Sequence, residues 1–116
     1  MKPHKTLEAW KQSFELVKDV YRVTSSFPSE EKFGLISQLR RAAVSIPTNI
    51  AEGAARKSAL ERKRFYEVAR SSDVEVDNCL EVILASEYFD KKEIAIAEDL
   101  VEQIFRLLSA MIDNTK

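Results

Sequence analysis

Residues 38–53 read QLRRAAVSIPTNIAEG, and this stretch decides the fold of the 116-residue chain. A helix turns by about 100° per residue, so the stretch carries a polar stripe and an apolar stripe side by side. The polar stripe consists of Gln38, Arg41, Ser45, Asn49, Glu52 and Arg56. The apolar stripe consists of Leu35, Leu39, Ala42, Ile46 and Ile50. This pair of stripes predicts a helix that packs into a core along one face.

The polar stripe has two interpretations. In the first, Arg41 and Glu52 pair with a later helix, for instance with Glu75. The glutamine, serine and asparagine side chains of the stripe then satisfy backbone groups near Pro47, because buried polar groups need partners. In the second, the stripe lines a cleft or channel that contacts a ligand. The residues themselves leave both interpretations open.

Four helices are predicted from the hydrophobic periodicity, over residues 7–26, 30–53, 59–88 and 91–113. The predicted N-caps are Thr6, Ser29, Ser58 and Asp90, and the last two open capping boxes with Glu61 and Glu93. Gly53 is predicted just past the end of the second helix. Short connections between helices of about 20 residues predict an all-α, up-down-up-down four-helix bundle as a single domain over 1–116.

Each of the other helices has a predicted buried face at helical spacing. On the first helix that face consists of Leu7, Trp10, Phe14, Val17 and Tyr21, with a flanking stripe of Leu16, Val20, Val23 and Phe27. On the third it consists of Phe65, Val68, Ser72, Val76, Cys79 or Leu80, and Ile83. On the fourth it consists of Ile94, Ala97, Val101, Ile104, Leu108 and Met111.

The second helix also has an apolar outer face, made of Val44, Pro47, Ala51 and Ala54. A helix that is apolar nearly all round is buried, and four helices of one chain cannot cover every side of this one. The outer face therefore predicts self-association into a cyclic homo-oligomer. Pro47 lies inside the helical pattern and predicts a kink, because proline lacks an amide hydrogen.

The composition agrees with a helical domain in the cytoplasm. Two Gly and three Pro leave little room for hairpins, and 32 % charged residues leave no apolar run long enough to span a membrane. No secretory segment is apparent at the N-terminus. The single cysteine, Cys79, cannot form an intramolecular disulfide.

Charge is distributed unevenly along the chain although the net charge is only −1. Between Arg40 and Arg70 there are eight basic residues and three acids, whereas between Ser71 and Asp113 there are eleven acids and three bases. The candidate nucleic-acid-binding residues, called the basic surface below, are Arg40, Arg56, Lys57, Arg62, Lys63, Arg64 and Arg70. Several of them flank the start of the third helix, where amide groups and the helix dipole also favour phosphate. Binding through them would be led by backbone contacts and sensitive to salt.

The sequence contains no recognisable set of catalytic residues. The one histidine, His4, is near the N-terminus and the one cysteine is at a core position, which makes covalent catalysis improbable. No histidine follows a glutamate at the Glu-x-x-His spacing of di-metal bundles, and no glycine-rich phosphate loop is present. We therefore expect no catalytic residues, no metal and no cofactor.

The motifs together resemble a known family. The run LEAW…VYRVTSSFP…EKFGLISQLRRAAVSIPTNIAEG, followed by RKS…RFYEVARSS..E, resembles the four-helix-bundle proteins encoded in intervening sequences of bacterial 23S ribosomal RNA genes. The matching positions are Arg40, Arg41, Ser45, Asn49, Glu52, Gly53, Phe65 and Glu75. Three positions depart from the family pattern: Ala55 and Ser71 replace glycines, and Arg62 replaces a common aromatic.

The resemblance implies an antiparallel bundle that assembles as a homopentamer with a central channel. More distantly, the chain is similar to accessory proteins of diversity-generating retroelements, in which a basic bundle pentamer binds RNA and a reverse transcriptase. The leading hypothesis is thus a non-enzymatic, homo-oligomeric scaffold that binds structured RNA, or an RNA–protein complex, through the basic surface. The alternative is a protein–protein interaction module with no nucleic-acid role.

Overall fold

The fold is all-α, as predicted. A computed structural model describes residues 2–28 and 34–116. In these ranges a short 3-10 helix, Pro3–Thr6, precedes four α-helices: α1 Glu8–Thr24, α2 Leu35–Ala54, α3 Ala59–Ala85 and α4 Ala95–Asn114. α1 packs against α2 and α4, and α3 packs against the same two helices. This arrangement is a four-helix bundle, with overall dimensions of 44 × 22 × 22 Å.

The core lies along the axis of the bundle and confirms two of the predicted faces. On α2 the apolar stripe is buried from Leu39 to Ile50, and Leu35 is half-buried. On α4 the predicted face is buried from Ala97 to Leu108, and Met111 is half-buried. The largest fully buried side chains include Leu16, Leu39, Ile46, Ile50, Leu80, Ile83, Ile104 and Leu108.

The buried face of α1 differs from the prediction. Phe14 and Tyr21 are 48 % and 44 % exposed, and the stripe predicted as flanking is the buried one. The buried stripe consists of Ala9, Ser13, Leu16, Val20, Val23 and Phe27, and Asp19 and Thr24 are buried as well. The positions of the stripe alternate steps of four and three, as a bundle-facing stripe does. The small residues Ala9 and Ser13 complete that stripe, and the larger aromatics beside them obscured it in the sequence.

The face of α3 is also partly different from the prediction. Ser72, Val76, Cys79, Leu80 and Ile83 are buried as expected. Val68 is instead 45 % exposed and Phe65 only half-buried, while Tyr66, Ala69 and Asp73 are buried. The physical reason is that an aspartate and a tyrosine occupy core positions, so that ranking residues by hydrophobicity shifts the face by about one position.

The predicted N-cap at Ser58 begins α3, whereas the capping box predicted at Asp90 forms before α4 and not at its start. Ser58 Oγ accepts a hydrogen bond from the Glu61 amide at 3.3 Å and caps α3. Asp90 and Glu93 exchange side-chain to amide hydrogen bonds of 2.9 and 3.2 Å. This capping box closes a turn, and α4 itself begins only at Ala95.

Other helix ends differ from the rough bounds predicted. Thr6 belongs to the 3-10 helix, and its hydroxyl donates to the Pro3 carbonyl while Leu7 is the N-cap of α1. Gly53 lies inside α2 and is buried, so it does not end the helix. α3 ends three residues earlier than predicted, because Glu87 has a left-handed backbone with φ 62°.

Two expectations for α2 are left as predictions. The Ser29 cap and the helix start at residue 30 lie outside the described residues. Pro47 lies within α2, which continues to Ala54; the kink there stays a prediction.

Candidate functional site

Two arginines of the basic surface build the corner between α2 and α3. Arg62 Nη1 donates to the carbonyls of Arg56 and Lys57, at 3.1 and 2.7 Å. Arg56 pairs with Glu52 at 3.1 Å, and its guanidinium lies 4.9 Å from the centre of the Phe65 ring. Arg62 thereby satisfies carbonyls that the end of α2 and the connecting loop leave without helical partners. Both guanidinium groups are held in place beside the start of α3.

The other three basic residues of this corner have no partner within the described part of the chain. Lys57 and Arg64 are exposed, and Lys63 is half-buried. They stand in the loop and the first two turns of α3, whose N-terminus carries the positive end of the helix dipole. We name these five residues, Arg56, Lys57, Arg62, Lys63 and Arg64, the corner cluster.

The remaining members of the basic surface, Arg40 and Arg70, lie away from this corner. Arg40 Nε donates to Thr24 Oγ1 at 2.8 Å, and its guanidinium lies 4.3 Å from the centre of the Tyr21 ring. At about 1.5 Å per residue, Arg40 is about 21 Å along α2 from Ala54, where the helix ends beside the corner. Arg70 Nη1 donates to Ser109 Oγ at 3.1 Å. These two arginines join neighbouring helices, and the structure brings together only the five residues of the corner cluster.

The middle of the polar stripe is used inside the fold. Ser45 Oγ and Ser72 Oγ share a hydrogen bond of 2.8 Å that joins α2 to α3. The Asn49 amide donates to the Ser45 carbonyl at 2.8 Å and to Ser45 Oγ at 3.0 Å. Ser45 and Asn49 thus form hydrogen bonds within the fold; Asn49 bonds a backbone carbonyl, as the first interpretation expects, whereas Ser45 bonds a serine hydroxyl.

The ends of the polar stripe behave differently from the expectation. Glu52 pairs with Arg56, which follows the end of α2, and Arg41 Nη2 donates to Ser37 Oγ at 3.4 Å. Neither forms an ion pair with α3 among the described residues, so that expectation was wrong. Exposure explains it, because solvated charges gain little from a fixed partner on another helix. Gln38, Arg41 and Glu75 instead line an open depression of about 400 Å³.

The outer face of α2 forms one wall of an apolar groove. Val44 is 41 % exposed, and with Pro47 and Ala51 it faces Trp10, Phe14 and Val17 of α1 across about 490 Å³. Ala54, the fourth residue of the outer face, is half-buried. Sequence reasoning missed the α1 wall, since it assigned those residues to the core. The regular steps of four and three residues from Ala9 to Phe27 mark the buried stripe of α1, and they could have shown that the aromatic residues beside it face outward.

A second feature missed from the sequence is Asp73. Its side chain is fully buried between α3 and α4, and neither carboxyl oxygen has a hydrogen-bond partner in the described residues. Burial, followed by the nearby charges of Asp77 and Glu102, raises the pKa of Asp73 to about 8. In the sequence, the sign of this feature was an acidic residue next to the predicted buried positions of the third helix.

The residues considered for catalysis are placed as follows. Cys79 is buried, and burial followed by the charge of Glu75 raises the pKa of its thiol. His4 packs edge-on against Trp10, with ring centres 5.2 Å apart. Within residues 2–28 and 34–116, no group of three histidine, cysteine or acidic side chains is placed to hold a metal ion. None of the helices in those ranges is long and apolar enough to cross a membrane.

Comparison with known proteins agrees with the sequence motifs. A family model described as 23S rRNA-intervening sequence protein matches residues 5–110. The fold is similar to the crystal structure of a protein of unknown function from the S23 ribosomal protein family of Bacteroides thetaiotaomicron, with a TM-score of 0.81 and 20 % identity. The similarity covers 91 % of this chain and 99 % of that one. No curated protein matches the sequence significantly.

Proposed function

Because the chain belongs to the family of 23S rRNA-intervening sequence proteins, we propose that it is a non-enzymatic, homo-oligomeric scaffold that binds RNA through its phosphate backbone. The observation that carries the proposal is the corner cluster. Three of its five cations have no partner in the described part of the chain, and all five flank the N-terminus of α3. A protein with this function acts in the cytoplasm, where ribosomal RNA is found.

The contacts in the corner cluster suit phosphate binding. Arg62 uses Nη1 for the two loop carbonyls, and a guanidinium has five N–H donors in all. Its other donors are thus available while its position is fixed. Lys57, Lys63 and Arg64 pair with no acid among residues 2–28 and 34–116, and counterion release then favours RNA. Phosphate contacts carry no sequence information, so this surface supplies affinity rather than base recognition.

Assembly would multiply this surface. The apolar groove between α1 and α2 exposes Val44 and Phe14, and a second copy that covers the groove would remove that apolar surface from water. A ring of copies presents one corner cluster per subunit. Once one cluster has bound an RNA, the others bind the same molecule at a high effective concentration, so that the overall affinity exceeds that of a single cluster. The pentamer implied by the family resemblance is the assembly we propose.

The test is a titration of 23S rRNA fragments at several salt concentrations. Replacing Lys57, Lys63 and Arg64 together by alanine removes no side-chain hydrogen bond or ion pair of the described residues, so we expect the fold to be kept. We expect the slope of log K against log salt to fall by roughly two to three, and unrelated RNA sequences to be weakened about equally. The matched control replaces three exposed lysines elsewhere by alanine: Lys5, Lys11 and Lys92. A flat salt response, or an equal loss in the control, would refute phosphate binding by the corner cluster.

A second candidate function is a protein–protein module without RNA, and the observation that favours it is the exposed apolar groove. In that case the groove docks another protein rather than a copy of the chain. The purified assembly would then contain a second protein in fixed stoichiometry. Its absorbance ratio would show no nucleic acid, and the alanine variant of the corner cluster would behave as the native protein.

A further inference from the structure

Asp73 differs from the other polar side chains in the core. Ser13 and Thr24 donate to carbonyls of their own helix, and Ser72 shares a hydrogen bond with Ser45. Asp73 is equally buried, yet both of its carboxyl oxygens lack a partner within residues 2–28 and 34–116. A buried polar group without a hydrogen bond is costly, and each native example calls for a physical explanation.

Asp73 is one of the residues that line a depression between α3 and α4, which we name the acidic pocket. Its volume is about 210 Å³, enough for several water molecules or a small organic group. Asp77 from α3 and Glu102 from α4 supply two further carboxyl groups. The apolar walls are Val74, Val101 and Phe105, of which Val74 and Phe105 are exposed and open the pocket to solvent.

Two arginines lie near this pocket, and one of them, Arg106, pairs with Glu102 of the pocket itself. Arg70 lies over the Phe105 ring, with 5.6 Å to its centre, and donates to Ser109. Arg106 stands 3.8 Å from Glu102, with both side chains largely exposed. Neither arginine forms an ion pair or hydrogen bond with Asp73. Among the described residues, the charges that act on the Asp73 carboxyl are those of Asp77 on its own helix and Glu102 on α4.

We propose that the acidic pocket binds an organic cation, a guanidinium or primary ammonium group, whose N–H donors bond to the carboxylate of Asp73. Asp77 and Glu102 add negative charge around it, and the walls of valine and phenylalanine accept an attached alkyl chain. A guanidinium matches a carboxylate with two parallel hydrogen bonds. A metal ion fits less well, because these side chains are not placed to coordinate one.

Binding of the cation is coupled to release of a proton. The bound cation needs the carboxylate, whereas the pKa of about 8 keeps Asp73 protonated near neutral pH. With a pKa of about 8, the ionised fraction of Asp73 rises about 50-fold between pH 6 and pH 8. The apparent association constant for the cation rises by the same factor.

The cation has two sources with the same chemistry. One is a free small amine or guanidine. The other is a basic side chain from a second copy of the chain. The candidates are Lys63 and Arg64 of the corner cluster, which are unpaired among the described residues. If the cation is a free small molecule, the pocket is unoccupied in the purified protein. If it is a side chain of a second copy, the pocket stays occupied until the assembly is dissociated or that side chain is substituted.

The experiment is an NMR titration of the full chain with methylguanidinium chloride at pH 8, following the backbone amides of α3 and α4 around the pocket. We expect saturable shifts in the native protein, and at least a tenfold weaker affinity in Asp73→Asn and in Glu102→Gln. The matched control is Glu81→Gln, which removes the same charge from an exposed position of α3. It should titrate as the native protein does.

The outcomes separate the two sources and decide the proposal. Binding to the native protein that is lost in Asp73→Asn and kept in Glu81→Gln supports a free cation. Binding that occurs only after Lys63→Ala and Arg64→Ala, and is lost again when Asp73→Asn is added, supports a side chain from a second copy. An absence of saturable shifts in both backgrounds would overturn the proposal. Undiminished binding in Asp73→Asn would also overturn it.

Discussion

Replacing Asp73 by asparagine removes a buried carboxyl group and nearly keeps its shape. In the native protein this group is fully buried between α3 and α4, with no hydrogen-bond partner in the described residues. Burial and the neighbouring carboxyls raise its pKa from 3.8 to about 8. The folded protein therefore holds a proton that the unfolded chain releases above about pH 4.

This difference makes the stability of the native protein depend on pH with a definite sign. The contribution of Asp73 to stability is complete below about pH 4 and is lost progressively as pH rises towards 8. Within this window each pH unit lowers the folding equilibrium constant about tenfold. Between pH 5 and pH 7 the loss is about 3 kcal/mol. Asparagine has no proton to release, so Asp73→Asn does not lose this stability.

The measurement is urea unfolding of the native protein and of Asp73→Asn at pH 5, 6 and 7. We expect the variant to gain about 3 kcal/mol relative to the native protein between the first and the last pH. The control is Glu81→Gln, whose carboxyl is exposed on α3, and its difference from the native protein should stay constant over this range. A difference between Asp73→Asn and the native protein that does not change with pH would refute the reasoning.

Three further substitutions test other parts of the structure. Gly53→Ala places a Cβ 2.8 Å from the Tyr66 ring and 2.9 Å from Phe65 Cβ; overpacking should outweigh the gain in helix propensity and lower stability by about 1 to 2 kcal/mol. An increased urea midpoint would contradict this close packing. Glu87→Gly relieves a left-handed backbone with φ 62° and should stabilise by about 1 kcal/mol in thermal unfolding; a lower melting temperature would argue against the strain. Val44→Glu puts a charge on an exposed part of the groove, so the bundle should fold yet elute as a smaller species; unchanged elution would exclude an interface there.

Much of the fold can be predicted from the sequence, because α2 and α4 carry regular apolar stripes. Those stripes become the core from Leu39 to Ile50 and from Ala97 to Leu108. On α1 the same reasoning failed, since Ala9 and Ser13 lie at core positions where only small side chains fit. Hydrophobicity ranks Trp10 and Phe14 above them, although packing space and not hydrophobicity decides which residue faces a close neighbour.

The candidate site was less predictable than the fold. The corner cluster follows directly from the sequence, because Arg56 to Arg64 are close along the chain. The contacts that hold Arg56 and Arg62 depend on how the loop turns, which composition does not specify. Gly53 was predicted to end a helix and instead allows α2 and α3 to approach, a role that only the neighbouring Tyr66 reveals. The unpartnered carboxyl of Asp73 likewise depends on the α3–α4 contact.

The most direct test of RNA binding by an assembled bundle is native mass spectrometry of the purified protein with and without a 23S rRNA fragment. We predict a mass that is a whole multiple of the monomer and that increases by the mass of the fragment at low salt. The variant with Lys57, Lys63 and Arg64 replaced by alanine should keep the same multiple and take up no RNA. A monomeric mass, or equal uptake of RNA by the variant, would contradict the proposed function.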